Sequence, residues 1–386
     1  MSVDAVEVHG TVAPGFERVA EAFAGNFVEH GEVGAACAVR VGGEEVVDIW
    51  AGVADPATGR PYEGDTLQLV FSSTKGVVAA AAHVLVDRGL LDPDAPVAEY
   101  WPEFAANGKA DIPVRWVLGH RSGVVGIDRV LSVEEFTAWD PFIEALAAAE
   151  PLWEPDTAHG YHALSFGFLV GELVRRITGT DIGTFVREHV AGPVGSDFTI
   201  GVSDEQVGQV APLIDAPIEP GADPSAVVLA LLTAGTPTNR AFLIAPLLPS
   251  GYNDPAVLKA QIPSSNGCTS ARGLARIYGG LVSEVDGTRL LSPERVDDLR
   301  RVQSQGDDLV LVGDPNAIGS GFFLPDPESR MMGPGSFGHS GMGGSLGTAL
   351  PEREIGFGYV MNQMSTKIKG DPRTRALQAA VLACTD

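Results

Sequence analysis

Leu69-Val70-Phe71-Ser72-Ser73-Thr74-Lys75-Gly76, followed by Val77-Val78-Ala79-Ala80-Ala81-Ala82-His83-Val84-Leu85-Val86, is the stretch on which the reading of this chain turns. A short apolar strand runs into Ser72, and the residues after Gly76 are helix formers that are apolar on every side. A helix of that kind belongs inside a larger domain. Ser72 then stands at its mouth, where unpaired backbone N–H groups and the positive end of the dipole favour a developing negative charge. Lys75 follows three residues later, on the same face. Of the five lysines, only Lys75 has a serine three residues before it. The tetrapeptide by itself leaves a second reading open, with Ser72 as a helix cap and Lys75 in water. Against it, a lysine on the first turn of a helix buried all round must have a local use.

A serine hydroxyl is a weak nucleophile and needs a base within hydrogen-bond reach. Lysine can be that base only where burial or neighbouring cations keep it neutral part of the time. The all-apolar helix offers Lys75 that setting. Tyr161 is a candidate second proton carrier, in the loop Pro151 to His162 beside a helix start. It reads equally as a ring packed in the interior, and His159 and His162 as ordinary loop residues.

Outward from this stretch, Phe16, Val19, Ala20, Phe23 and Phe27 predict an amphipathic first helix ending near Gly31. Gly34 to Val41 and Glu45 to Ala51 read as a hairpin across Gly42-Gly43-Glu44, and Thr66 to Phe71 as a third strand. From Gly76 onward helices and loops dominate, with a helical stripe from Phe166 to Ile177 and a helix over Ser270 to Val282. About 214–263 is rich in Pro, Ala and Leu without periodicity and reads as an irregular flap. Strand character returns at Leu309 to Val312, Gly319 to Leu324, Ser345 to Leu350 and Ile355 to Met361, before a last helix from Pro372 to Ala383. The expected architecture is α+β. An antiparallel sheet is built from residues 1–75 and 300–386 with terminal helices against it, and a mainly helical region, 76–299, is inserted between. Ser72 falls at their seam, where pockets form.

Composition sets limits. The chain has 386 residues, 45% of them hydrophobic, and 26 Lys+Arg against 50 Asp+Glu, a net charge of −24. That charge argues against nucleic acid or an anionic membrane as partner. Cys37, Cys268 and Cys384 are widely spaced and read as buried thiols. The eight histidines show no H-x-x-x-H or H-E-x-x-H spacing, so neither metal nor cofactor is expected. No window nears eighteen apolar residues and the N-terminus lacks a signal pattern, so a cytoplasmic protein is expected.

The glycine-rich stretch Ser336 to Gly347 holds two decoys. Gly333-Pro334-Gly335-Ser336-Phe337-Gly338 fits G-x-G-x-x-G, without the flanking strand and helix and with Pro334 inside it. Gly343-Gly344-Ser345-Leu346-Gly347 fits G-x-S-x-G, yet strand follows it, and the last histidine of the chain, His339, precedes it.

Ser72-Ser73-Thr74-Lys75, Leu118-Gly119-His120-Arg121-Ser122-Gly123, Gly160-Tyr161-His162-Ala163 and Gly338-His339-Ser340-Gly341, in that order, resemble the serine β-lactamase-related family. The family VIII carboxylesterases, which share a fold with class C β-lactamases and DD-peptidases, are the branch it is most similar to. The resemblance spans nearly the whole chain and is weakest between about Ile214 and Pro263. It implies a β-lactamase/transpeptidase-like fold, with Ser72 as the acylated nucleophile of S-x-x-K, Lys75 as its lysine and Tyr161 as the tyrosine proposed to share the base role. The backbone N–H groups of Ser72 and Met342 would form the oxyanion hole. His339, Ser340 and Gly341 take the place of K-T-G, and His162 and His120 support the pocket. Two positions depart from the class C pattern: Ala163 stands where Y-x-N has asparagine, and His339 where K-T-G has lysine. Both weaken recognition of β-lactams and fit a neutral, small-molecule ester better. The expected activity is therefore carboxylic-ester hydrolysis through a Ser72 acyl-enzyme. Amidase, D-peptidase, β-lactamase or acyltransferase activity from the same residues is the alternative, and a non-catalytic scaffold a third.

Overall fold

The computed structural model describes residues 6–217, 225–326, 331–367 and 370–385. Among these, the main sheet runs in the order His9–Val12, Glu44–Asp55, Gly34–Val41, Ile355–Met361, Leu346–Leu350, Phe337–Ser340, and Arg60–Pro61 pairs with Glu44–Asp55. All these pairings are antiparallel. The two ends of the chain meet at its centre, where Ile355–Met361 pairs with Gly34–Val41 on one side and Leu346–Leu350 on the other. Every residue of Ile355–Met361 is buried. Helix Ala271–Val282 packs on this strand. The approach is close enough that a Cβ at Gly358 would overlap the Ala271 carbonyl, which is why the strand carries glycine there. Helices Glu17–Glu29 and Pro372–Thr385 pack against each other. This is the mixed helix and antiparallel-sheet architecture expected for the β-lactamase/transpeptidase-like fold.

A second, smaller sheet has the order Thr199–Ile200, Gly267–Thr269, Leu67–Leu69, Val210–Ala211. Its strand Leu67–Leu69 leads into helix Ser73–Asp87, in which every residue from Ser73 to Val86 is buried. The helix packs on both Ser165–Thr178 and the sheet strand Phe337–Ser340. Cys37 and Cys268 lie buried, where loss of solvation pushes both thiols well up, Cys268 to about 12. Among the described residues no helix is long and apolar enough to cross a membrane.

The structure corrects four expectations. The run Thr66 to Phe71 is strand only over Leu67–Leu69, and it belongs to the smaller sheet. Phe71 instead has φ +42°, so the chain turns there. Leu309 to Val312 has strand composition but forms a turn, because the Asp308 carboxylate captures the Val310 and Leu311 amides at 2.8 Å each. Gly319 to Leu324 contributes only isolated bridges at Phe323, and the strand lies earlier, at Asn316–Ile318. The expected flap contains helices Ala226–Leu232, Pro237–Phe242 and Pro255–Lys259. They are too short for the sequence periodicity to register, and residues 218–224 of the flap lie outside the described residues.

Candidate active site

Ser72 immediately precedes helix Ser73–Asp87, and its side chain does not cap that helix. Instead its hydroxyl lies 3.1 Å from Lys75 Nζ. The preceding Phe71 sits in the left-handed region, costly for a bulky residue, and strain of this kind collects at functional sites. Its ring meets Tyr252 edge-on at 5.1 Å.

Lys75 is fully buried. Besides Ser72, its Nζ donates to the Ser264 carbonyl at 2.9 Å and lies 4.8 Å from the centre of the Tyr161 ring. Desolvation pushes its pKa well below the usual lysine range. Nothing local in the sequence marks Ser264, which is itself fixed by hydrogen bonds from its hydroxyl to the Leu164 carbonyl and from the Gly167 amide.

Tyr161 is 4% exposed. Its ring lies stacked on Phe323 at 5.7 Å and tilted against His120 at 5.3 Å and His339 at 6.0 Å. Its amide donates to Asp308 Oδ1 at 3.0 Å, the same oxygen that anchors the 310–311 turn. Asp308 is thus a site-building residue with no sequence signal beyond its acidity.

His120 and His162 stand behind the tyrosine, both buried and both already used. His120 Nδ1 accepts from the His162 amide at 3.0 Å. The His162 ring bridges the Gly160 carbonyl and the Ser122 hydroxyl, each at 2.7 Å. Burial pushes His162 down to about 4 and His120 well below the imidazole range, so both are neutral near pH 7. Through these hydrogen bonds they frame the loop that carries Tyr161. His339, 1% exposed, packs against both Tyr161 and Phe323, with Nδ1 2.8 Å from the Ser340 carbonyl oxygen.

Gly341 to Gly344 form a turn closed by the Gly344 amide on the Gly341 carbonyl, 3.1 Å, with Met342 at its tip and Gly343 at φ +87°. That positive φ is what a type II turn demands of its third residue. Ser345 is buried, and its hydroxyl donates to the Val70 carbonyl at 2.8 Å and lies 3.1 Å from the Ser73 hydroxyl. It fastens this turn to the segment carrying Ser72. Gly341 packs so close that a Cβ would overlap the Val70 carbonyl. Among the described residues neither the Ser72 amide nor the Met342 amide has an acceptor. Both residues line one cleft, with Phe71, Phe136, Ala163, Phe242, Leu247 and Tyr252 among its walls.

The arrangement holds a hydroxyl against an amine deprived of solvent, a phenol ring beside it, and two free backbone donors at an apolar cleft. It lacks a feature a metal would need: among the described residues no group of three or more His, Cys, Asp or Glu is placed to bind one.

The beta-lactamase family model matches residues 16–381. The chain is 36% identical over 365 residues to the esterase/beta-lactamase LipL of Mycobacterium tuberculosis, covering 92% of this chain and 83% of that protein. It is 32% identical over 206 residues to the esterase EstB of Burkholderia gladioli, covering 49% and 52%. A family VIII carboxylesterase crystal structure superposes with a TM-score of 0.89 at 38% identity, over 98% of this chain and 100% of that one. A penicillin-binding protein homolog from Caulobacter crescentus gives 0.87 at 35%, over 98% and 100%. With the family model spanning nearly its whole length and relatives of this identity, the chain belongs to the beta-lactamase family.

Proposed function

We propose that the protein is a serine carboxylesterase acting on small, neutral esters with short-chain or aryl groups. The carrying observation is the 3.1 Å contact between the Ser72 hydroxyl and a fully buried Lys75 whose proton affinity burial has lowered. Ser72 Oγ attacks the ester carbonyl while Lys75, together with Tyr161, receives its proton. The Ser72 and Met342 amides hold the oxyanion, and such donors are each worth roughly 10²- to 10³-fold in kcat. The proton passes to the departing alkoxide, and water then cleaves the acyl-enzyme. Esters are favoured by the apolar cleft, by Ala163 in its wall, which offers no side-chain amide for recognition, and by the burial of His339 against Tyr161.

Ser72→Ala abolishes turnover of a p-nitrophenyl ester under this reading; hydrolysis at the parental rate overturns it. A second reading, β-lactam cleavage by the same residues, draws on the similarity to LipL, an esterase/beta-lactamase. A chromogenic cephalosporin assayed beside the ester separates the two: a far larger kcat/KM for the lactam reverses the order.

A further inference from the structure

Arg373, at the start of the C-terminal helix, is only 2% exposed, and each of its five guanidinium hydrogens has an acceptor. Nε and one hydrogen of Nη2 go to the Asp371 carboxylate, at 3.1 and 2.8 Å. Nη1 serves Glu32 at 3.2 Å and the Gln363 carbonyl at 2.8 Å. The remaining hydrogen of Nη2 reaches the Gly343 carbonyl at 2.5 Å. Glu32 also accepts from the Tyr359 hydroxyl, and burial raises its carboxyl to about 7 in spite of the adjacent guanidinium.

A buried ion cluster of this kind contributes little to stability that apolar side chains of the same volume would not. It meets the active-site turn at Gly343, the residue after Met342, whose carbonyl accepts from Arg373, and packs against Gly344 beside it. The turn that presents the Met342 amide is fixed at Gly341 by the Ser345 carbonyl, 2.8 Å from the Gly341 amide. At its other end it is fixed by the Gly343 carbonyl, which accepts from Arg373 and from the Ser365 amide at 3.0 Å. An oxyanion donor is effective only within about 2.7–3.1 Å of the developing charge, so a turn free to rock at Gly343 loses that distance.

We infer that Arg373 is a positioning residue. Clamped between Glu32 and Asp371, it pins the Gly343 carbonyl and thereby holds the Met342 amide at the oxyanion. The inference rests on the esterase reading above and on Met342 as a donor in it. Asp371 alone would suffice to tie the helix start to its own first turn. The Nη2 hydrogen on Gly343 is the element that reaches the cleft.

The test compares Arg373→Ala and Arg373→Lys with the parent on a p-nitrophenyl ester, recording kcat and KM separately, with thermal melts to establish that each is folded. Lysine keeps the charge between Glu32 and Asp371 but cannot also span to Gly343 with a fork of donors. The expected result is a fall in kcat of roughly 10- to 100-fold in both variants with KM within about twofold, and partial recovery of the alanine variant by low-millimolar guanidinium. A folded Arg373→Lys with parental kcat overturns the inference, as does a folded Arg373→Ala that melts lower but keeps its kcat. Failure of the esterase reading itself shows differently, as an active Ser72→Ala.

Discussion

The amine of Lys75 and the hydroxyl of Ser72 lie 3.1 Å apart, and the same amine is held from behind by the Ser264 carbonyl. A protonated ammonium is costly in this fully buried position, so burial favours the neutral amine, the form that the proposed mechanism needs. The chemistry of the site follows from that pairing, and the following outcomes are expected from it.

Lys75→Arg keeps a positive charge that cannot be shed. We expect kcat/KM on a p-nitrophenyl ester to fall by roughly 10²- to 10⁴-fold, the range of a lost general base. Steady-state kinetics check this, and near-parental activity would mean that Lys75 is not the proton acceptor.

Tyr161→Phe preserves the ring contacts with Phe323 and His120 and removes only the hydroxyl. Turnover should drop by at least about tenfold, because the ring packing is kept and only the hydroxyl that would carry the proton is lost. An unchanged kcat would assign the proton to Lys75 alone.

Asp308→Ala strips the acceptor from three buried amides, those of Tyr161, Val310 and Leu311. An orphaned buried donor costs about 1–3 kcal/mol. The variant should therefore lose several kcal/mol by chemical denaturation, and at temperatures where it is still folded it should lose activity as well, since the Tyr161 loop has lost its anchor.

The pH dependence of stability has a definite sign. Burial holds His83 and His162 at about 4, against 6.5 in the unfolded chain. Between those values the unfolded chain binds protons that the folded one refuses, so stability is full above pH 6.5 and falls as the pH drops toward 4. Glu32 acts oppositely: raised from 4.5 to about 7, it contributes stability at low pH that is lost as the pH rises between those values. His83→Gln, remote from the cleft and bonded to the Ser320 carbonyl, should reduce the acid-side loss by up to about 3 kcal/mol at pH 4. Thermal melts from pH 4 to 8 check this, and a profile parallel to the parent's would contradict it.

How much of this was legible in the sequence depended on distance along the chain. Ser72 and Lys75 lie three positions apart at one buried helix mouth, and an all-apolar run announces the burial that lowers the lysine. Tyr161 and His339 could be named because their short motifs follow in a fixed order. Ser264, Asp308 and Arg373 could not. Ser264 acts through a backbone carbonyl on a side chain 189 positions away, and Asp308 through backbone amides up to 147 positions away. Arg373 reaches 30 positions back to Gly343 and 341 to Glu32. None leaves a periodic trace. The same Asp308 explains the misread strand at Leu309 to Val312, where a carboxylate overrode β-branched propensity. The G-x-S-x-G decoy fails for the reason that its following residues suggested: Ser345 opens onto a strand, and its hydroxyl is occupied by Val70.

The decisive measurement is the site of covalent labelling. The protein is treated with a fluorophosphonate, digested, and the adduct mapped by mass spectrometry. One adduct on Ser72, absent from Ser72→Ala and still present in Ser345→Ala, is the predicted result. An adduct on another serine, or undiminished labelling of Ser72→Ala, would contradict the assignment of Ser72 as the nucleophile.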